Sequence, residues 1–207
     1  MPHYFKERLV QELDSRRPRR VYLRDARDAA VLIPIIGSPE PTLVLTVRTE
    51  TLSSHSGQIS FPGGSIDPGE SSAEAALREA HEEVGIEPAA VEVLGELDSI
   101  PTYVSGYVID PVVGWVHEPP DLVPNPAEVA EVLTIPIVDF VEDIRAGAGF
   151  THAGQTYPTE AWIWNDRVIW GVTARLMRSF LTLLSDVGLA PAPGPAPEWP
   201  SEVGPRP

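Results

Sequence analysis

The segment from Gly64 to Ile86, GSIDPGESSAEAALREAHEEVGI, constrains the fold of this chain more than any other. Ser71 followed by Glu74 forms a capping-box pair, in which each side chain bonds the other residue's backbone N–H, so a helix is expected to begin at about residue 72. Gly85 is placed to end it, because glycine enters the left-handed conformation after a last turn at little steric cost. Between those ends Ala73, Ala76, Leu77, Ala80 and Val84 recur at i, i+3, i+4, i+7 and i+11, a narrow stripe of small apolar side chains that can pack closely on a sheet. At roughly 100° per residue, Glu79, Glu82 and Glu83 are expected to project together on the opposite side. Carboxylates at this spacing repel one another unless something positive lies between them. One reading is a solvated acidic helix face. The other is a site for a hard divalent cation such as Mg²⁺, which prefers carboxylate oxygens and keeps several waters while bridging substrate phosphates.

Eight positions decide between these readings. Gly64, Glu70, Arg78, Glu79, Glu82, Glu83, Gly85 and Ile86 stand at the spacing G-x5-E-x7-R-E-U-x-E-E-x-G-U, which resembles the Nudix box, with Ala80 where the family usually carries a larger aliphatic residue. The resemblance implies an α/β fold, the Nudix-type α/β/α sandwich with a mixed β-sheet, and metal-dependent hydrolysis of a diphosphate linkage. It implies Mg²⁺ (or Mn²⁺) held by Glu79, Glu82 and Glu83, with the backbone carbonyl of Gly64 adding a ligand. Glu70 and Arg78 match positions that form a structural ion pair fixing the loop before the helix. Of the three catalytic glutamates, Glu82 is the first choice for the base, since clustered acids are separated into ligand and base roles by their surroundings.

Immediately upstream, LTVRTETLSSHSGQISFPGG (45 to 64) is similar to the additional motif of the coenzyme A pyrophosphatase branch of Nudix hydrolases. Leu45, Thr46, Arg48, Gly57, Phe61, Pro62, Gly63 and Gly64 match it. Val44 replaces a leucine, Thr49 occupies a Ser/Ala position, and Ser53 stands where the branch carries a second arginine. SGYVIDPVVGWV (105 to 116), NPAEVAEVLTIP (125 to 136) and IWGVTARLM (169 to 177) also resemble segments of that branch, so the similarity runs through residues 28 to 184. It implies hydrolysis of coenzyme A or its derivatives to adenosine 3′,5′-bisphosphate and 4′-phosphopantetheine. ADP-ribose or a dinucleoside polyphosphate is the alternative substrate. A catalytically silent Nudix-like binding module is the alternative of another class, and it would be free to lose the three glutamates that this chain keeps.

The candidate substrate-binding residues are Arg48, His55 and Glu128. A planar guanidinium at Arg48 can hold phosphate oxygens through two parallel hydrogen bonds, or it can simply face solvent at a strand end. His55 in the same loop titrates near neutrality and could contact a phosphate or move a proton, whereas a surface histidine in a turn is its ordinary reading. Glu128, followed by Glu131, is a candidate late carboxylate from outside the helix.

With 207 residues the chain can bury a full core, and the absence of cysteine removes disulfides, thiolate metal sites and cysteine nucleophiles together. A net charge of −15 opposes binding of a nucleic acid polymer, which leaves a small-molecule nucleotide as the expected partner. No apolar run approaches the ~20 residues of a membrane span and the N-terminus lacks a signal-peptide core, so no membrane partner is expected and the cytoplasm is the expected location. Monomer and homodimer are both compatible with the sequence. A single domain over residues 1–189 is expected to open with an amphipathic helix at 3–16, on Tyr4, Leu9, Val10 and Leu13. Strands are expected at 29–36, 42–48, 91–97, 107–116 and 131–137, a short helix from Val138, a strand in WIWND ending near Asn165, and a C-terminal helix over 170–184. Residues 190–207, with seven prolines, read as an extended tail.

Overall fold

The computed structural model describes residues 2–49, 57–102, 105–140, 144–146, 150–152, 155–157, 160–165 and 167–193. In chain order the elements are α1 (Pro2–Ser15), β1 (Arg27–Ile36), β2 (Thr42–Arg48), β3 (Ile59–Ser60), β4 (Gly63–Ser65), α2 (Ser72–Val84), β5 (Val91–Glu96), β6 (Ile100–Pro101), β7 (Tyr107–Val116) and β8 (Val129–Pro136). The short strands β9 (Ile144–Ala146), β10 (Phe150–His152), β11 (Gln155–Tyr157), β12 (Glu160–Trp164) and β13 (Arg167–Trp170) then lead into α3 (Gly171–Asp186).

The centre of the sheet is the parallel pair of β1 and β7, in register from Arg27 opposite Tyr107 to Ile36 opposite Val116. Both strands are nearly continuous apolar runs because both of their faces are covered. Ala30, Leu32 and Ile36 of β1, with Val112 and Val116 of β7 and Val44 of β2, meet Ala75, Ala76, Ala80 and Val84 of α2. The alternate residues, Ile33, Ile35, Leu43, Leu45, Val113 and Trp115, face the other way into a larger core shared with α1 and α3. Helices thus lie on both sides of a mixed sheet, since every other pairing in it is antiparallel.

One irregularity in the sheet creates the site. β2 meets β1 only at its beginning, Leu43 opposite Ile35 and Thr42 opposite Ile36. Beyond that point the two strands part, and the gap is filled by β4 on the β1 side, with Gly64 opposite Ala30, and by β3 on the β2 side, with Ile59 opposite Val47. Outside β2 runs β8, with a register shift between Val47 and Arg48.

Several expectations need correction. In α1 the buried residues are Phe5, Leu9 and Leu13, while Tyr4 is 61% exposed; Phe5 sits 6.2 Å from the Trp115 ring, and the helix spans Pro2–Ser15 rather than 3–16. The expected helix from Val138 is a single 3-10 turn, Ile137–Phe140, followed after residues 141–143, which lie outside the described residues, by β9. β9 sends its hydrogen bonds to β12, Ile144 opposite Trp162, so its backbone is satisfied across strands instead of along a helix. WIWND does run as a strand to a turn at Asn165, whose φ is 47°, and α3 extends to Asp186. Among the described residues no helix is long and apolar enough to cross a membrane. Most of the proline-rich segment lies outside the described residues.

Candidate functional site

The sequence signals that bound α2 are realised as bonds. Ser71 Oγ accepts from the Glu74 N–H at 3.2 Å while Glu74 Oε2 accepts from the Ser71 N–H at 2.8 Å, and Gly85 ends the helix in the left-handed region at φ 74°. The loop before the helix is fixed by Glu70. Its carboxylate accepts from Arg78 Nε at 2.9 Å, Arg78 Nη2 at 3.0 Å and the Asp67 N–H at 3.0 Å, and the Arg78 hydrogen bonds hold it below the usual carboxylate range. Arg78 also donates to the Ser65 carbonyl at 3.1 Å and to Glu79 Oε1 at 2.7 Å. The sequence-expected pair is therefore present, and it ties β4, the loop and the helix at one guanidinium.

The three glutamates do not share one outward face. Glu83 follows Ala76 by seven residues, which at about 100° per residue returns almost to the same azimuth, so it turns toward the sheet and is only 3% exposed. Glu79 is mostly covered, at 16% side-chain exposure, and Glu82 is open, at 54%. The conspicuous finding is Glu83, whose Oε2 is buried without a hydrogen-bond partner among the described residues. Burial pushes its pKa up to about 8; Glu79 and Glu128 add repulsion, while the Arg48 charge and the Gly63 N–H oppose the rise. Glu79 is also raised, by burial first, against the pull of Arg78 and with repulsion from Glu82 and Glu128. Burial outweighs the ion pair at Glu79 because it acts on a carboxylate that also faces two others.

These features fit a hard cation. A buried carboxylate oxygen with no partner is expensive unless something positive meets it, and the donors available are carboxylate and backbone oxygens. Gly64 leaves room at the same place: a Cβ there would lie 2.7 Å from Glu79 Oε2. Its neighbour Gly63 has a different reason to be glycine, since a Cβ would come 2.7 Å from Val31 Cα and overlap the Ala30 carbonyl of β1. Among the described residues no three acidic groups converge closely enough to enclose a metal ion, and Arg78 pairs with Glu79 at 2.7 Å and with Glu82 at 3.6 Å. The exposed Glu82 can turn from that weak pairing without disturbing the core.

Arg48 ends β2 on this side of the sheet, its backbone held by the Gln58 carbonyl at 2.9 Å and the Gly57 N–H at 3.1 Å, and its charge reaches Glu83. Glu128 is brought to the cluster as well, its charge acting on both Glu79 and Glu83. Glu131 is not: its carboxylate is engaged by Arg167 at 2.8 and 3.0 Å on the outer side of β8, beside an open hollow that includes none of the α2 glutamates. His55 and Ser53 lie outside the described residues. What the sequence reading missed is the segment that holds Glu128 in place. Val123 N–H and Asn125 N–H donate to the Val84 and Glu83 carbonyls at 3.0 and 2.9 Å, and the signal for it was the turn-forming Asn125-Pro126 dipeptide.

The model of the family described as NUDIX domain matches residues 26–147. The chain is 41% identical over 153 residues to the protein named uncharacterized Nudix hydrolase NudL from Photorhabdus laumondii, covering 73% of this chain and 81% of that one. The NudL protein of Escherichia coli K12 is 39% identical over 179 residues, covering 80% and 85%. Among solved structures, a MutT/nudix family protein from Enterococcus faecalis superposes with a TM-score of 0.51 at 15% identity, over 89% of this chain and 73% of that one, a likeness of fold.

Proposed function

The chain belongs to the Nudix family, and from that premise we propose that this hydrolase of nucleoside diphosphate derivatives acts on coenzyme A or its derivatives, giving adenosine 3′,5′-bisphosphate and 4′-phosphopantetheine. Nudix hydrolases generally use divalent metal ions. The observation that carries the coenzyme A reading is the motif from Leu45 to Gly64, whose Arg48 ends β2 within electrostatic reach of Glu83.

In this reading Glu79, Glu83 and the Gly64 carbonyl would hold Mg²⁺ or Mn²⁺, with Glu82 the solvent-open member of the cluster. The chemistry supplied by a divalent cation here is charge screening on the bridging phosphates and acidification of an attacking water. Glu82, the solvent-open carboxylate, would take up the proton of the attacking water as the water oxygen bonds to phosphorus and the diphosphate P–O bond breaks. Arg48 holds a phosphate oxygen pair and offsets the negative charge gathered by Glu79, Glu83 and Glu128. Arg78, committed to Glu70, Ser65 and Glu79, keeps the helix and β4 in register. Residues 1–189 act as one unit, with α1 and α3 closing the sheet face opposite α2.

The test is a substrate comparison on purified protein with Mg²⁺ and then Mn²⁺, using coenzyme A, ADP-ribose, NADH and diadenosine polyphosphates. Release of adenosine 3′,5′-bisphosphate with the highest kcat/KM on coenzyme A supports the proposal. A better rate on ADP-ribose moves the assignment to that substrate, and absence of turnover on all of them with retained nucleotide binding makes the chain a binding module.

A further inference from the structure

The carboxylate of Glu128 comes from a turn, not from a strand or helix, and a turn needs something to fix it. Asn125 makes four bonds around this turn. Its N–H donates to the Glu83 carbonyl at 2.9 Å, its carbonyl accepts from the N–H groups of Glu128 at 3.0 Å and Val129 at 2.8 Å, and its side-chain Oδ1 accepts from the Ala127 N–H at 3.1 Å. The last bond closes an Asx turn, and Pro126 presets φ for the position that follows. At the far end the Glu128 carbonyl accepts from the Thr49 N–H at 3.0 Å, one residue from Arg48. The chain path from Glu83 through Asn125 and Glu128 to Thr49 is therefore hydrogen-bonded at each step, and it joins the last turn of α2 to the end of β2.

We propose that Asn125 is a positioning residue for the reaction: by closing the 125–128 turn against the last turn of α2, it fixes the segment that carries Glu128 between Glu83 and the end of β2. The proposal rests on the hydrolase reading above and adds a residue outside the helix to its machinery. Only the Oδ1 bond is removed by Asn125→Ala, since the backbone bonds persist in any residue except proline, so the effect is partial. Loss of the side-chain acceptor frees the Ala127 N–H and lets the turn, and Glu128 with it, sample other positions.

The experiment is a double-mutant cycle on the full chain, with Asn125→Ala and Glu128→Gln alone and together, and Asn125→Ser as the neutral variant that keeps an acceptor oxygen. The readouts are Mn²⁺ affinity, from the paramagnetic resonance of free Mn²⁺, and kcat and KM on coenzyme A or ADP-ribose. We expect Asn125→Ala to weaken Mn²⁺ binding or lower kcat by about tenfold with KM nearly unchanged, Asn125→Ser to restore most of the loss, and Asn125→Ala to add nothing in the Glu128→Gln background. Equal losses in both backgrounds, no loss in either readout, or no recovery with serine overturns it. If Glu128→Gln alone leaves both readouts unchanged, the positioning role falls while the helix site stands. If Glu83→Gln leaves turnover unchanged, it is the hydrolase reading of the site that fails.

Discussion

Glu83 is the residue on which most of the site's physics converges. It is a nearly fully buried carboxylate with one unpartnered oxygen, repelled by two neighbouring acids and only partly offset by Arg48 and a backbone N–H. Replacing it with glutamine keeps the shape but removes the charge that a cation would meet. We expect Glu83→Gln to fold and to lose turnover by at least about a hundredfold, and ordinary activity with unchanged metal dependence would sink the assignment. The same residue sets a pH dependence in the metal-free protein. Its folded pKa of about 8 lies above the ordinary 4.5, so between those values the folded state keeps a proton that the unfolded state has released. The contribution to stability is thus full at low pH and is lost as pH rises through about 8. Thermal melts of wild type and Glu83→Gln from pH 4.5 to pH 8 should diverge, with the wild type losing stability relative to the variant and Mg²⁺ restoring it. Parallel curves would contradict the burial of an ionisable Glu83.

At the scale of elements, the sequence announced α2 with both ends and the long strands β1, β2 and β7 to within a residue or two, because capping residues and uninterrupted apolar runs are local signals. The short strands β3 and β4 were not visible. Two or three residues carry no period, and their pairing is decided by the parting of β1 and β2, a long-range event. Glu83 reads as outward because a charged residue is assigned to the polar side of a stripe through Ala73 and Leu77, which are half-buried, whereas the packed face runs through Ala75, Ala76, Ala80 and Glu83. β4 offers a direct comparison of two adjacent glycines. Gly63→Ala meets backbone of β1 and should destabilise the fold by about 2 kcal/mol or more, whereas Gly64→Ala meets only the end of the Glu79 side chain and should melt nearly normally while weakening Mn²⁺ binding. Melting curves and Mn²⁺ titrations of the two variants decide it, and the idea fails if both lose stability alike. Arg78 links the same elements, so Arg78→Ala should cost about 2 kcal/mol, a fall of roughly 5 °C in the thermal midpoint, together with activity. Unchanged melting with complete inactivity would instead place Arg78 among the reacting groups.

Across the whole molecule, the problem is how a chain of net charge −15 receives a polyanionic substrate. Bulk electrostatics oppose the encounter, so local positive groups must reverse the field, and at the described site these are Arg48, Arg78 and any bound cation. Arg78 is committed by hydrogen bonds to Glu70, Glu79 and Ser65, which leaves Arg48 as the side chain best placed to meet phosphate. The coenzyme A branch carries a second arginine where this chain has Ser53, so one cation that would grip the ground state is missing. Loss of a contact made equally in ground and transition states raises KM and leaves kcat near its value. We therefore predict that coenzyme A is hydrolysed with a high KM, and that Ser53→Arg lowers that KM by roughly tenfold, the effect of one charge-assisted hydrogen bond of about 1.4 kcal/mol. Steady-state kinetics of both proteins on coenzyme A and ADP-ribose check it. If the KM for coenzyme A does not move, or if ADP-ribose is the better substrate for both proteins, the missing arginine marks a change of substrate, and the glutamates of α2 serve a different nucleoside diphosphate.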